Sequence, residues 1–184
     1  MSAGHGHVDA SNKKVALLIS VLALVLAFSE TLGKATQTEA LGANIEASNL
    51  WAFFQAKAIR QTSVNASADL LAVFPGALAD AAARKQIEDW RKTAARYQSE
   101  PDTGEGRKEL AEKAKKAEEK RDRLLAAYHQ YEIASAAVQI AIVLASASII
   151  TGMVALTWIG GGLGLLGIVF CLLGAFAPTA VHLF

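Results

Sequence analysis

Three long apolar stretches stand out along the chain. Val15 to Phe28 is apolar apart from Ser20. Extended through Ser29, Thr31 and Leu32 it is about 18 residues long, enough to cross a bilayer core of roughly 30 Å as a helix. Ile133 to Leu156 and Gly160 to Ala180 carry no charge at all. The pattern predicts an all-α membrane protein with a polar tail over 1–14 and transmembrane helices over 15–32, 133–156 and 160–180. Trp158 would lie at the membrane interface, in a turn of Thr157 to Gly162 between the last two spans. The first stretch could instead be read as a signal peptide, with Lys13 and Lys14 as its basic start. Glu30 falls where a small neutral cleavage region belongs, which favours a retained span.

Small residues recur on one face of each span. In the third, Gly160, Gly164, Gly167, Cys171, Gly174 and Pro178 step by four and three. Small residues let helix backbones approach closely in lipid, where packing rather than hydrophobicity drives association. This stripe is therefore predicted to be a helix-packing face. Ala16, Ser20, Ala23 and Ala27 repeat the pattern in the first span. Ala137, Ala141, Ala145, Ser148, Gly152 and Ala155 repeat it in the second.

The intervening 33–132 is predicted to be helical, with helices near 34–74, 77–98 and 107–132. Breaks are expected at Phe74-Pro75-Gly76 and across Ser99 to Gly106, both rich in turn formers. Leu110, Ala114, Ala117, Arg121, Leu124, Tyr128 and Tyr131 follow the spacing of coiled-coil packing. Ala83, Ile87, Trp90, Ala94 and Tyr97 mark a second face of this kind. The matched lengths of 77–98 and 107–132 suggest an antiparallel, coiled-coil-like hairpin with its tip at Pro101. A straight helix over 34–74 would then run far past the base of that hairpin. A discontinuity is therefore expected between Gly42 and Ser67, at Gly42 or in Gln61-Thr62-Ser63-Val64-Asn65.

Residues 46–61 place Trp51, Phe53 and Phe54 among Asn49, Gln55, Lys57 and Arg60 on one helix. One reading is an interfacial helix with its aromatics among lipid headgroups. The preferred reading is the centre of the helical bundle or an oligomer contact, because Asn49 and Gln55 need buried partners more than lipid would supply. Leu110, Leu124 and Tyr128 join the three aromatics as predicted bundle or oligomer contacts. The Lys13-Lys14 start, Ser29-Glu30-Thr31, Gln37-Thr38-Glu39-Ala40 and above all Asn49-Leu-Trp-Ala-Phe-Phe-Gln-Ala-Lys57 carry a resemblance over essentially the whole chain. The chain resembles a bacterial family of uncharacterised membrane proteins, catalogued as a domain of unknown function. The resemblance implies a multi-pass bacterial inner-membrane protein with one N-terminal and two C-terminal spans. It implies no reaction, substrate or cofactor.

Charge sharpens this picture. Two of the 18 Lys and Arg precede the first span and sixteen lie between Lys34 and Arg123; sixteen of the 17 Asp and Glu lie between Glu30 and Glu132. The balance argues against a nucleic-acid face, which would need a basic excess. The bases flanking the middle segment favour a cytoplasmic placement for it. Cys171 is the only cysteine, so no internal disulfide or multi-cysteine zinc site can form.

Candidate chemistry is sparse. His5, His7 and Asp9 are residue types that bind zinc, copper or nickel, but three ligands on a glycine-containing tail make a poor site, and a solvated tail is the preferred reading. Glu30 is expected to pair with Lys34 one turn on. No Walker, nucleophile-elbow or zinc-protease motif is present. No catalytic residue and no cofactor is predicted. The sequence reads as a non-enzymatic, homo-oligomeric interaction protein in membrane lipid, with a possible protein partner for its helical middle. Alternatives are an oligomeric channel lined by Ser146, Ser148 and Thr151, and a membrane-anchored metal binder using His5 and His7.

Overall fold

The computed structural model describes residues 10–180, and no strand occurs among them. The chain forms α1 (Ala10–Ala72), α2 (Ala81–Gln98), α3 (Arg107–Thr151) and α4 (Val154–Phe176). Helices α1, α3 and α4 are long and apolar enough to cross a membrane. Contacts divide the chain into two units. One holds α1 up to Ala40, α3 from Asp122, and α4; the other runs from Leu41 to Arg121.

Helix α1 has 63 residues and no interruption, which corrects the expected discontinuity between Gly42 and Ser67. Its hydroxyls do not compete with the helix. Thr62 donates to the Ala58 carbonyl at 3.0 Å and Ser67 to the Ser63 carbonyl at 3.0 Å. Ser20, Thr31 and Thr38 bond back by one turn in the same way. Each such bond satisfies a polar side chain without opening the ladder. The helix also starts at Ala10, inside the segment expected to be a polar tail.

Past Ala72 the chain turns through Pro75 and Gly76, whose φ of +82° is a left-handed conformation suited to glycine. Helix α2 begins at Ala81 rather than Ala77, because the Asp80 side chain accepts from the Ala82 N–H at 3.0 Å and caps the helix there. The hinge between α3 and α4 is also displaced from its expected place. Gly152, at φ +72°, donates its N–H to the Ser148 carbonyl at 2.9 Å and ends α3. Thr157 to Gly162 are helical, so the three consecutive glycines are not a turn.

In the first unit Gly160, Gly164, Gly167 and Gly174 of α4 face its neighbours. A methyl group on Gly160 would lie 2.9 Å from the Ala141 carbonyl oxygen and 3.5 Å from the Ala145 nitrogen. One on Gly167 would meet the Val138 side chain and come 3.1 Å from the Ala134 carbonyl oxygen. Helix backbones thus touch along α3 and α4, with Ala141 and Ala145 wholly buried opposite. Gly164 receives the Leu22 side chain of α1. Leu22, Val138 and Ala141 form the core, with Leu18, Val25, Leu26, Ile142 and Leu163 packed round it. Farther along, Tyr131 is held between Gly33 of α1 and Gly174 of α4. The contact face of α1 therefore holds Val15, Leu22, Ser29 and Gly33, all buried, whereas Ala16, Ser20, Ala23 and Ala27 are exposed. This corrects the expected packing of that alanine stripe. A glycine hollow is filled by a leucine knob, and a second small residue would leave a void.

In the second unit α2 and α3 both run antiparallel to α1. Along α1, Asp69 lies 3.7 Å from Arg91 of α2, Gln61 meets Gln98 through Arg107, and Trp51 meets Glu118 of α3. The docking sites of Arg91 and Glu118 are thus 18 residues apart on α1, roughly 27 Å of helix. Helices α2 and α3 lie in succession along α1, and the expected hairpin between them, with its tip at Pro101, is not formed. The tip is the Val73–Asp80 turn instead.

Three neighbouring glycines separate packing from helix propensity. Among the described residues, no atom of another helix lies within 4 Å of where a methyl on Gly161 or Gly162 would sit. Gly161→Ala and Gly162→Ala should leave the fold intact and add up to about 1 kcal/mol each. Gly160→Ala should lose about 1–3 kcal/mol by overpacking against backbone. Thermal melts in detergent check the sign, and equal responses at the three positions would refute backbone contact at Gly160.

Candidate functional site

Two groups of polar side chains invite a functional reading, one in each unit. The first gathers where α2 hands over to α3 against α1. Trp51 donates its indole N–H to the Glu118 carboxylate at 2.9 Å and packs edge-on to Phe54, with ring centroids 5.4 Å apart. The Arg107 guanidinium lies 4.8 Å from the Phe54 ring and donates to Gln61 Oε1 at 2.6 Å and Gln98 Oε1 at 3.3 Å. Lys57 is buried, its ammonium 5.4 Å from the rings of both Phe53 and Tyr97 and 3.7 Å from the exposed Glu105 carboxylate. Lys57 is thus taken out of water, and Arg107 half out of it, against aromatic faces, an arrangement that gains strength with desolvation. Asn49 and Gln55 are exposed, which corrects the expectation that they take buried partners.

The loop beneath this cluster is an ordered elbow. Glu109 accepts from the Ser99 hydroxyl at 2.6 Å and from the Glu100 N–H at 3.2 Å. Arg96 binds Glu100 at 2.6 Å, and Lys113 donates to the Gly104 carbonyl at 2.8 Å. Gly106 has no room for a side chain, with Ser99 Cα at 2.7 Å from the place of its missing methyl. The Ser99 hydroxyl, with the Glu100 N–H behind it, holds the Glu109 carboxyl below the usual carboxylate range.

The second group lines a cleft of about 300 Å³ between α1 and α3 in the first unit: Ser29, Glu30, Gly33, Lys34, Gln37, Tyr128, Tyr131, Glu132 and Ser135. Glu30 accepts from the Gln139 amide at 3.2 Å, and Tyr128 donates to Glu132 at 3.2 Å. The cross-helix bond from Gln139 replaces the expected Glu30–Lys34 pair. Glu132 also lies 3.6 Å from His129 Nδ1. The cleft offers two carboxylates, one ammonium and several hydroxyls, without a nucleophile held by a base.

The remaining predicted residues fall as follows. Gly160, Gly164, Gly167 and Gly174 are buried and Cys171 half-buried. Leu110 is buried between helices, and Leu124 and Tyr128 are half-buried. The hydroxyls of Ser146 and Thr151 bond to the backbone one turn back, and Ser148 bonds to Ala145 and Thr157. His5, His7 and Asp9 lie outside the described residues. Among the described residues, no three His, Cys, Asp or Glu side chains gather to hold a metal. Arg107, Gln98 and Glu118 were not singled out from sequence. Glu118 is 67 residues from Trp51, and only the packing of α1 on α3 brings them together.

The elbow should respond to acid. The Glu109 carboxyl has a lowered folded pKa, so its contribution is present above the ordinary carboxylate range and lost as pH falls through the folded value. Amide protection at residues 99–110, relative to the intrinsic exchange rate, should therefore fall once the pH drops below the ordinary carboxylate range. Glu109→Gln should exchange faster at neutral pH and lose the acid step, whereas a step unchanged in that variant would assign it elsewhere. Trp51→Phe keeps the ring and removes the donor to Glu118. It should cost about 1–2 kcal/mol in a urea melt, and a cost near zero would show the bond to be incidental.

The comparisons with known proteins agree with this picture of unassigned chemistry. No curated protein and no solved structure matches the chain. One protein family does, described as Domain of unknown function (DUF4337), and the match covers residues 11–177. That span takes in all but the first residue of α1 and the whole of the other three helices, and the chain belongs to this family.

Proposed function

We propose that this protein is a multi-pass protein of a bacterial inner membrane that works without catalysis, as a homo-oligomeric scaffold. In this reading the apolar parts of α1, α3 and α4 cross the bilayer, and the unit of residues 41–121 is a cytoplasmic arm that makes protein contacts. The observation that carries it is the backbone packing of α4 on α3. Glycine weakens a helix in water by about 1 kcal/mol, yet it recurs in α4 where backbones touch. Close backbone packing is what holds helices together when lipid surrounds them. The absence of charge from Ile133 to Ala180 supports the same placement. The bases of the middle segment support its cytoplasmic side. Trp51, Glu118, Arg107, Gln61 and Gln98 are engaged with one another, which favours binding and support over turnover.

The test is direct. Membranes washed with alkaline carbonate should retain the protein, and the purified particle should have a protein mass that is a multiple of 19.4 kDa by native mass spectrometry or light scattering. Release by carbonate would refute the membrane placement. A single-chain mass at all concentrations would refute the oligomer.

A further inference from the structure

Helix α1 carries a second face in the unit of residues 41–121 that no described part of the chain covers. Its occupied face holds Ala40, Ala43, Ala47, Lys57 and Ala68, all buried. Roughly 140° round the helix, Ile45, Ala52, Ile59 and Ala66 recur at seven-residue steps, and Leu41, Ser48, Gln55 and Thr62 fall between them. All eight are exposed; Ile45 is 52% and Ile59 68% accessible. Two residues per seven at steps of four and three is the spacing of a coiled-coil seam.

Charge sets this face apart from an ordinary solvated one. From Leu41 to Ala68, α1 has only Glu46, Lys57 and Arg60 as charged residues, and Lys57 is buried. On α3 of the same unit, seven of the fifteen residues from Arg107 to Arg121 are exposed charges. One side of the unit is solvated in the ordinary way. The other alternates apolar residues with small or amide side chains, and its eight seam positions carry no charge.

We infer that this face is a homodimer seam, covered by the same face of a second copy of the chain. The inference rests on the membrane reading above. Two copies inserted in the same direction bring their α1 helices together in parallel, so a two-fold axis sets each seam residue against its own counterpart. Ile45 and Ile59 then occupy the positions where β-branched side chains favour two parallel strands. The polar positions suit the same symmetry. Ser48 meets Ser48 and Gln55 meets Gln55, and a hydroxyl or amide that both donates and accepts is satisfied by its own copy across the axis, which fixes the register. No charge flanks the seam on either side between Gly42 and Ile59 to oppose a like charge in the partner, since the neighbouring positions are Asn44, Asn49, Trp51, Ala56 and Ala58. Residues 41–72 extend roughly 48 Å. A seam that long and about one helix wide buries on the order of 1,000 Å² in total, the area a specific interface needs.

The experiment uses the full chain in its own membranes. In a Cys171→Ala background, Ile45→Cys and Ile59→Cys place a thiol in the seam and Lys116→Cys places one on the charged side. Under mild oxidation both seam variants should form a disulfide-linked dimer at least ten times faster than Lys116→Cys. Ile45→Glu with Ile59→Glu, at positions already exposed, should halve the particle mass with helix content unchanged. Equal cross-linking at all three positions overturns the seam, as would a pairing of the seam thiols with a different protein or with none. A multimeric wild type whose mass ignores the double variant overturns the seam alone. A monomeric wild type overturns the seam and the oligomeric scaffold together.

Discussion

Contact between helix backbones, made where glycine removes the side chain from between them, is the constraint on which the apolar unit depends. Gly160 and Gly167 bring α4 onto carbonyl oxygens of α3. At these two glycines weak Cα–H···O contacts and dispersion act between the helices. Gly164 makes the one deep hollow, and Leu22 of α1 fills it. Tyr131 does the reverse at the other end, a large ring between Gly33 and Gly174. Three helices are thus joined by two knobs and one backbone seam, with Gln139–Glu30 and Thr157–Ser148 as polar bonds between them. In the lipid setting proposed above, such an arrangement would gain nothing from apolar burial, and it would have no need to.

The charged unit uses different physics along the same helix. Alanine at Ala43, Ala47, Ala114 and Ala117 keeps the helices close, and all four are buried. Little apolar area is buried by so small a seam. Polar and cation–ring contacts make up for it: Trp51 with Glu118, Arg107 with Phe54 and Gln61, Lys57 between Phe53 and Tyr97. These are directional, so they set the register of α2 and α3 on α1 as apolar contacts alone would not. The elbow from Ser99 to Gly106 lets two helices serve where one would have to be unbroken.

Much of this was legible from spacing. The three apolar segments, the glycine face of α4, and the breaks after Phe74 and at Ser99 can all be read from residue type and period. What could not be read was which of two possible faces each helix would use. The alanine stripe of the first span and the Leu22 face differ by a fraction of a turn, and only the hollow at Gly164 decides between them. Gly152 and the triplet Gly160-Gly161-Gly162 illustrate the same limit. Glycine serves both turns and close packing, and the triplet looks more like a turn than the lone Gly152 does. Length matching suggested a hairpin of α2 with α3 because each helix was weighed without its partner; an uninterrupted α1 offered both a longer surface.

The central claim is that water is kept from the three apolar helix segments by lipid outside and by glycine-mediated packing within. Amide hydrogen exchange of the intact protein in lipid nanodiscs measures this residue by residue. The account predicts that amides in 18–28, 137–150 and 158–174 stay unexchanged for hours at neutral pH, with no gap at Gly160 to Gly162. Exchange within minutes across 158–174 would contradict it, because the glycines would then be a wet turn and not the seam that holds the helices together.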